Sequence, residues 1–80
     1  MRIKEAVVKR FDGLCKSRCI AYNELATRSG VTPSTVYSMM DARRADVSIL
    51  TIKKLCDGLD ITVREFFDDP VFDNVEQEIR

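Results

Sequence analysis

Between Ile3 and Cys15 the apolar residues Ile3, Val7, Val8, Phe11, Leu14 and Cys15 fall three and four apart, with Lys4, Glu5, Lys9, Arg10 and Asp12 between them. One face of an α-helix repeats at that interval, so the segment predicts an amphipathic first helix. Gly13 costs about 1 kcal/mol relative to Ala inside a helix and predicts a soft last turn. A second, short helix is expected from Tyr22 to Ser29. Leu25 and Ala26 supply its buried stripe, no residue offers an evident N-cap, and Gly30 is suited to end it in the left-handed conformation. Thr32 followed by Pro33 is a start signal, because the hydroxyl accepts from a free N–H and proline at the first position forfeits no hydrogen bond. The third helix then runs to about Asp41.

Ala42 to Val47 has no apolar period and reads as a loop. Ser48 is placed to cap a fourth helix with Ile49, Ile52, Leu55, Cys56 and Leu59 turned inward, and Asp60 is placed to end it left-handed. Thr62-Val63-Arg64-Glu65 has the form of a capping box. It opens a fifth helix that contributes Phe66 and Phe67 to the core, and Pro70 closes it. In the tail Val71, Val75 and Ile79 recur every fourth residue with Phe72 beside them. That is the pattern of a short helix needing a surface, either its own core or the tail of a second copy. No stretch alternates as a strand does. The expected fold is all-α: a compact five-helix bundle over residues 1–69, then an acidic C-terminal tail over 70–80.

An 80-residue chain has apolar surface for one core, and 45% apolar with 32% charged residues is a folding composition. The formal net charge of +0 conceals a dipole. Residues 1–54 carry 11 Lys/Arg against 5 Asp/Glu, and residues 55–80 carry 2 against 8. The basic half can neutralise phosphates, while the acidic end stays clear of them or docks a protein partner. There is no His, no glycine-rich phosphate loop and no Cys-x-x-Cys pair, so no enzyme, metal or cofactor is expected. The three cysteines read as small reduced core residues. With no 18-residue apolar run and no signal-like N-terminus, a cytoplasmic protein without membrane contact is expected.

Residues 22–41 form two short helices about a tight turn. Ala26 sits where the helices would cross steeply, Gly30 supplies a positive φ, and Leu25, Val31, Val36 and Met39 point back to one core. Taken with Arg10-Phe11, Leu14, Ile20 to Ala26, Gly30-Val31-Thr32, Thr35-Val36 and Met39, then Ser48, Ile52, Leu55, Leu59, Ile61, Glu65 and Phe66, the chain resembles the lambda-repressor-like (XRE-type) helix-turn-helix family over about residues 5–67. The resemblance implies a five-helix bundle, double-stranded DNA bound by helix three in the major groove, and a homodimer on a partly palindromic site. Tyr22, and Pro33 or Ser34, stand where the family often has Gln, so no operator carries over. Ala21 replaces a usual capping hydroxyl, and Cys19 and Ala42 stand where Gly is common.

With Val36 and Met39 inward, a helical wheel turns Ser34 and Ser38 outward, flanked by Tyr37 and Asp41. Thr32, Pro33, Ser34, Tyr37 and Ser38 are therefore the expected base contacts. Tyr22 and Thr35, with the Arg43-Arg44 pair after helix three, are the expected phosphate contacts, Arg28 being a weaker candidate. The rival reading is a protein-interaction module of the same fold that docks a partner through its acidic end.

Overall fold

The computed structural model describes residues 1–79. Its helices are α1 (Ile3–Ser17), α2 (Tyr22–Ser29), α3 (Pro33–Met40), α4 (Ile49–Gly58) and α5 (Val63–Phe67), followed by a 3-10 helix, η1 (Pro70–Asn74). No strand occurs among the described residues, and the all-α, five-helix expectation holds. α2 lies against both α3 and α4, and α1 packs on η1. The core gathers Val7, Phe11 and Cys15 from α1, Leu25 and Ala26 from α2, and Val36 and Met39 from α3. Ile52, Leu55 and Cys56 from α4, Leu59 just beyond it, and Phe66 from α5 complete it.

Local chemistry sets most of the ends. Thr32 and Ser48 each accept a hydrogen bond from the amide three residues on. Thr62 and Glu65 close the capping box reciprocally. Gly30 turns left-handed at φ 69°, and Asp60 and Cys19 do the same at 57° and 56°. Short polar side chains tolerate that region better than branched ones. Gly13 lies inside α1, which continues to Ser17.

Other ends are held from a distance. Lys4, 6% exposed, donates its ammonium to the carbonyls of Asp41 (3.2 Å) and Arg44 (3.0 Å) just past α3. Arg18 donates to the Leu59 carbonyl at the end of α4. Arg10 donates to the carbonyls of Phe66 (2.8 Å) and Glu65 (2.9 Å) at the end of α5 and pairs with Asp69 at 3.3 Å. A helix C-terminus leaves carbonyls unpaired and carries a partial negative charge, so a cation there satisfies both. α1 thus seals the C-terminal ends of three other helices.

Two expectations need correction. Ile49 is 67% exposed, because it opens the first turn of α4 on the side away from the bundle, next to Leu50 at 60%. Phe67 lies on the rim, not in the core, with its ring 4.9 Å from those of both Phe66, edge-to-face, and Phe72, tilted. In the tail a short 3-10 helix spans Pro70–Asn74; residues 75–79 run on without helical structure, and Ile79 is 88% exposed. Phe72 packs on this chain's own core. The Glu76 amide donates to the Met1 carbonyl at 2.8 Å, and Arg2 pairs with Glu78 at 2.7 Å, so the acidic tail is clasped to the start of α1.

Candidate nucleic-acid interface

Helix α3 begins at a hydroxyl cluster. Thr32 Oγ1 accepts from the Thr35 amide at 3.3 Å and lies 3.0 Å from both Ser34 Oγ and Thr35 Oγ1. Val36 and Met39 are buried on one side of the helix, while Thr32, Pro33, Ser34 and Tyr37 are exposed on the other. Tyr37 is 55% exposed and meets Tyr22 edge-to-face at 5.7 Å, so its position is set by the helix before it. Thr35 is half-buried, and so is Ser38, which lies further round toward the core than the wheel suggests.

The Tyr22 hydroxyl donates to Asp12 Oδ1 at 2.6 Å. Burial, then that bond, pushes the Tyr22 phenol up to about 12. Its one proton is committed, so what α2 offers an anion is the open N–H groups of its first turn. Asp12 is itself held below the usual carboxylate range, by Lys16 first and Tyr22 second.

After α3, Asp41 organises the turn that carries the two arginines. Its Oδ1 accepts from the Arg43 amide at 3.0 Å, and its two oxygens take the Arg43 guanidinium at 3.1 and 3.0 Å. These bonds, the guanidinium first, hold the Asp41 carboxyl down at about 2. The Arg44 amide closes the turn onto the Asp41 carbonyl at 3.1 Å. Arg44 itself is exposed, and its guanidinium makes no hydrogen bond or ion pair among the described residues. The organising role of Asp41 was not anticipated, although an Asp two residues before Arg is a usable signal for such a turn.

The excess of positive charge in residues 1–54 is therefore not all available to a ligand. Lys4, Arg10 and Arg18 are turned onto carbonyls. Lys9, Lys16, Arg28 and Lys53 pair with acids on their own helices. Arg28, the weaker phosphate candidate, is held by Glu24 at 2.6 Å. No group of three or more His, Cys, Asp or Glu side chains among the described residues could hold a metal ion. Cys15 and Cys56 are buried thiols raised by that burial, and Cys19 is exposed. No helix among the described residues is long and apolar enough to cross a membrane.

Two short helices joined through a left-handed Gly30, the second presenting an exposed polar face beside a basic turn, define a helix-turn-helix DNA-binding domain. The sequence model of the Cro/C1-type HTH DNA-binding domain matches residues 10–70, most of the chain, and the protein belongs to that family. The crystal structure of the prophage Lp1 protein 11 has the same fold. It is 34% identical, with a TM-score of 0.80 over 94% of this chain and 100% of that one. No protein with a curated description matches.

Proposed function

We propose that this chain is a sequence-specific transcriptional regulator that lays α3 in the major groove of double-stranded DNA. The observation that carries the reading is the two-sided α3, with Val36 and Met39 sealed in the core and Ser34 and Tyr37 presented outward. Thr32, Pro33, Ser34, Tyr37 and Ser38 supply the base contacts. Serine hydroxyls donate or accept and discriminate less sharply than Arg on guanine, so Tyr37 and DNA shape carry a large share of the specificity. Thr35, Arg43, Arg44 and the first turn of α2 at Tyr22 hold phosphates and set the register. Arg43, 90% exposed, reaches a phosphate by exchanging its half-buried Asp41 partner. The protein acts in the cytoplasm as a homodimer, with two copies of α3 on half-sites one helical turn apart.

In-vitro selection from randomised duplexes with the purified chain tests this reading. The expected result is an enriched motif of two half-sites spaced by about 10 base pairs. Ser38→Ala should then change the preference at one or two positions by about 1–3 kcal/mol. A pool that stays random contradicts the reading.

A further inference from the structure

A groove of about 340 Å³ lies between the start of α1 and the turn after α3, lined by Arg2, Lys4, Met40, Arg43 and Arg44 among others. Lys4 is 6% exposed and is the buried charged residue of this surface. Its ammonium meets two carbonyls, those of Asp41 and Arg44, which are the first and last residues of one turn. We infer that Lys4 is a positioning residue for DNA binding: by bridging both ends of this turn it fixes where Arg43 and Arg44 stand relative to α3.

Met40 and Val47 anchor the two ends of this segment on the core, and the Asp41 amide donates to the Ser38 carbonyl, but the residues between have no such packing. Residues 42–46 are all exposed, and the hydrogen bonds Asp41 makes to Arg43 and Arg44 lie within the turn. They shape it without attaching it to the core. Lys4 comes from α1, 37 and 40 residues away in sequence, and joins the turn to a helix whose Val7 and Phe11 are core residues. A buried ammonium carries a desolvation cost that a Met of similar length avoids, so packing alone does not call for Lys at this position. What Lys supplies and Met does not is an ammonium that donates to two carbonyls at once, and a turn held in place before binding loses less freedom on binding. The inference rests on the DNA-binding reading above.

The test compares Lys4→Met with Lys9→Met, which removes the same charge from an exposed position on the same helix. Affinity for a mixed-sequence duplex at low salt is measured for each, alone and combined with Arg43→Ala and Arg44→Ala. Amide exchange reports the core helices and the Arg44 N–H separately. The expected result is an intact core, loss of Arg44 protection, and roughly tenfold weaker binding for Lys4→Met but under about twofold for Lys9→Met. Adding Lys4→Met to the double arginine variant should cost nothing further, because its effect passes through those side chains. Equal losses for the two lysine variants, or an undiminished Lys4 effect without the arginines, overturn the inference. Should Met at position 4 unfold the chain, Lys4→Gln, a neutral amide too short to span both carbonyls, is read by the same criteria. A parent chain that binds no duplex sinks the reading and the inference together; a binding parent with indifferent Lys4 variants sinks the inference alone.

Discussion

The Tyr22 hydroxyl gives its single proton to Asp12, while its ring packs edge-on against Tyr37 at 5.7 Å. Tyr22 therefore links α1 to the exposed end of α3 through two different parts of one side chain. The phenol is raised from 10.0 to about 12, chiefly by burial. A folded value above the unfolded one means that this contribution to stability is whole below about pH 10 and is lost as pH rises through about 12. Alkaline titration of tyrosinate absorbance should show a late step near 12 in the parent that Tyr22→Phe lacks. A Tyr22 step at the ordinary phenol value of 10.0 would contradict both the burial and the Asp12 bond. None of this was legible from the sequence, because Asp12 and Tyr22 lie ten residues apart on different helices and nothing in either neighbourhood marks the pair.

Between elements, α2 approaches α4 closely at Gly58. A Cβ on Gly58 would land on Ser29 Oγ, 3.0 Å from the Ser29 amide nitrogen and 3.1 Å from the Arg28 carbonyl carbon. The hydroxyl can rotate, but the backbone atoms cannot move without shifting a helix. Gly58→Ala should therefore destabilise by about 1–3 kcal/mol despite the better helix propensity of Ala, as read by denaturant unfolding. A variant as stable as the parent would mean that α2 and α4 are free to separate. Ser29 Oγ is buried without a hydrogen-bond partner, which is consistent with a hydroxyl squeezed by this contact. Helix starts at Thr32, Ser48 and Thr62 and left-handed ends at Gly30 and Asp60 were readable in advance because each is settled within a few residues. The seals from Lys4, Arg10 and Arg18 were not, since their carbonyl partners lie 37 to 56 residues away. Ile49 misled because an apolar residue in a first turn fits the helical period whether or not anything packs over it.

Across the whole molecule, the opposed charges of the two halves meet in the folded chain. Arg2 holds Glu78, Arg10 holds Asp69, and the 3-10 helix lies on α1. Glu78 and Asp69 thus neutralise Arg2 and Arg10 and leave the turn after α3, with an Arg44 that makes no ion pair among the described residues, as the cationic edge beside the polar face of α3. Pro70 and the aromatic contacts of Phe72 with Phe66 and Phe67 favour this clasp over the α-helix that the spacing of Val71, Val75 and Ile79 suggests. The central claim is that this edge and α3 together meet DNA. It is tested most directly by following the backbone amide resonances of the full chain as a mixed-sequence duplex is added at low salt. The account predicts shifts concentrated in residues 32–44 and the first turn of α2, with residues 70–79 unmoved. Shifts confined to the acidic tail, or none at all, would contradict it.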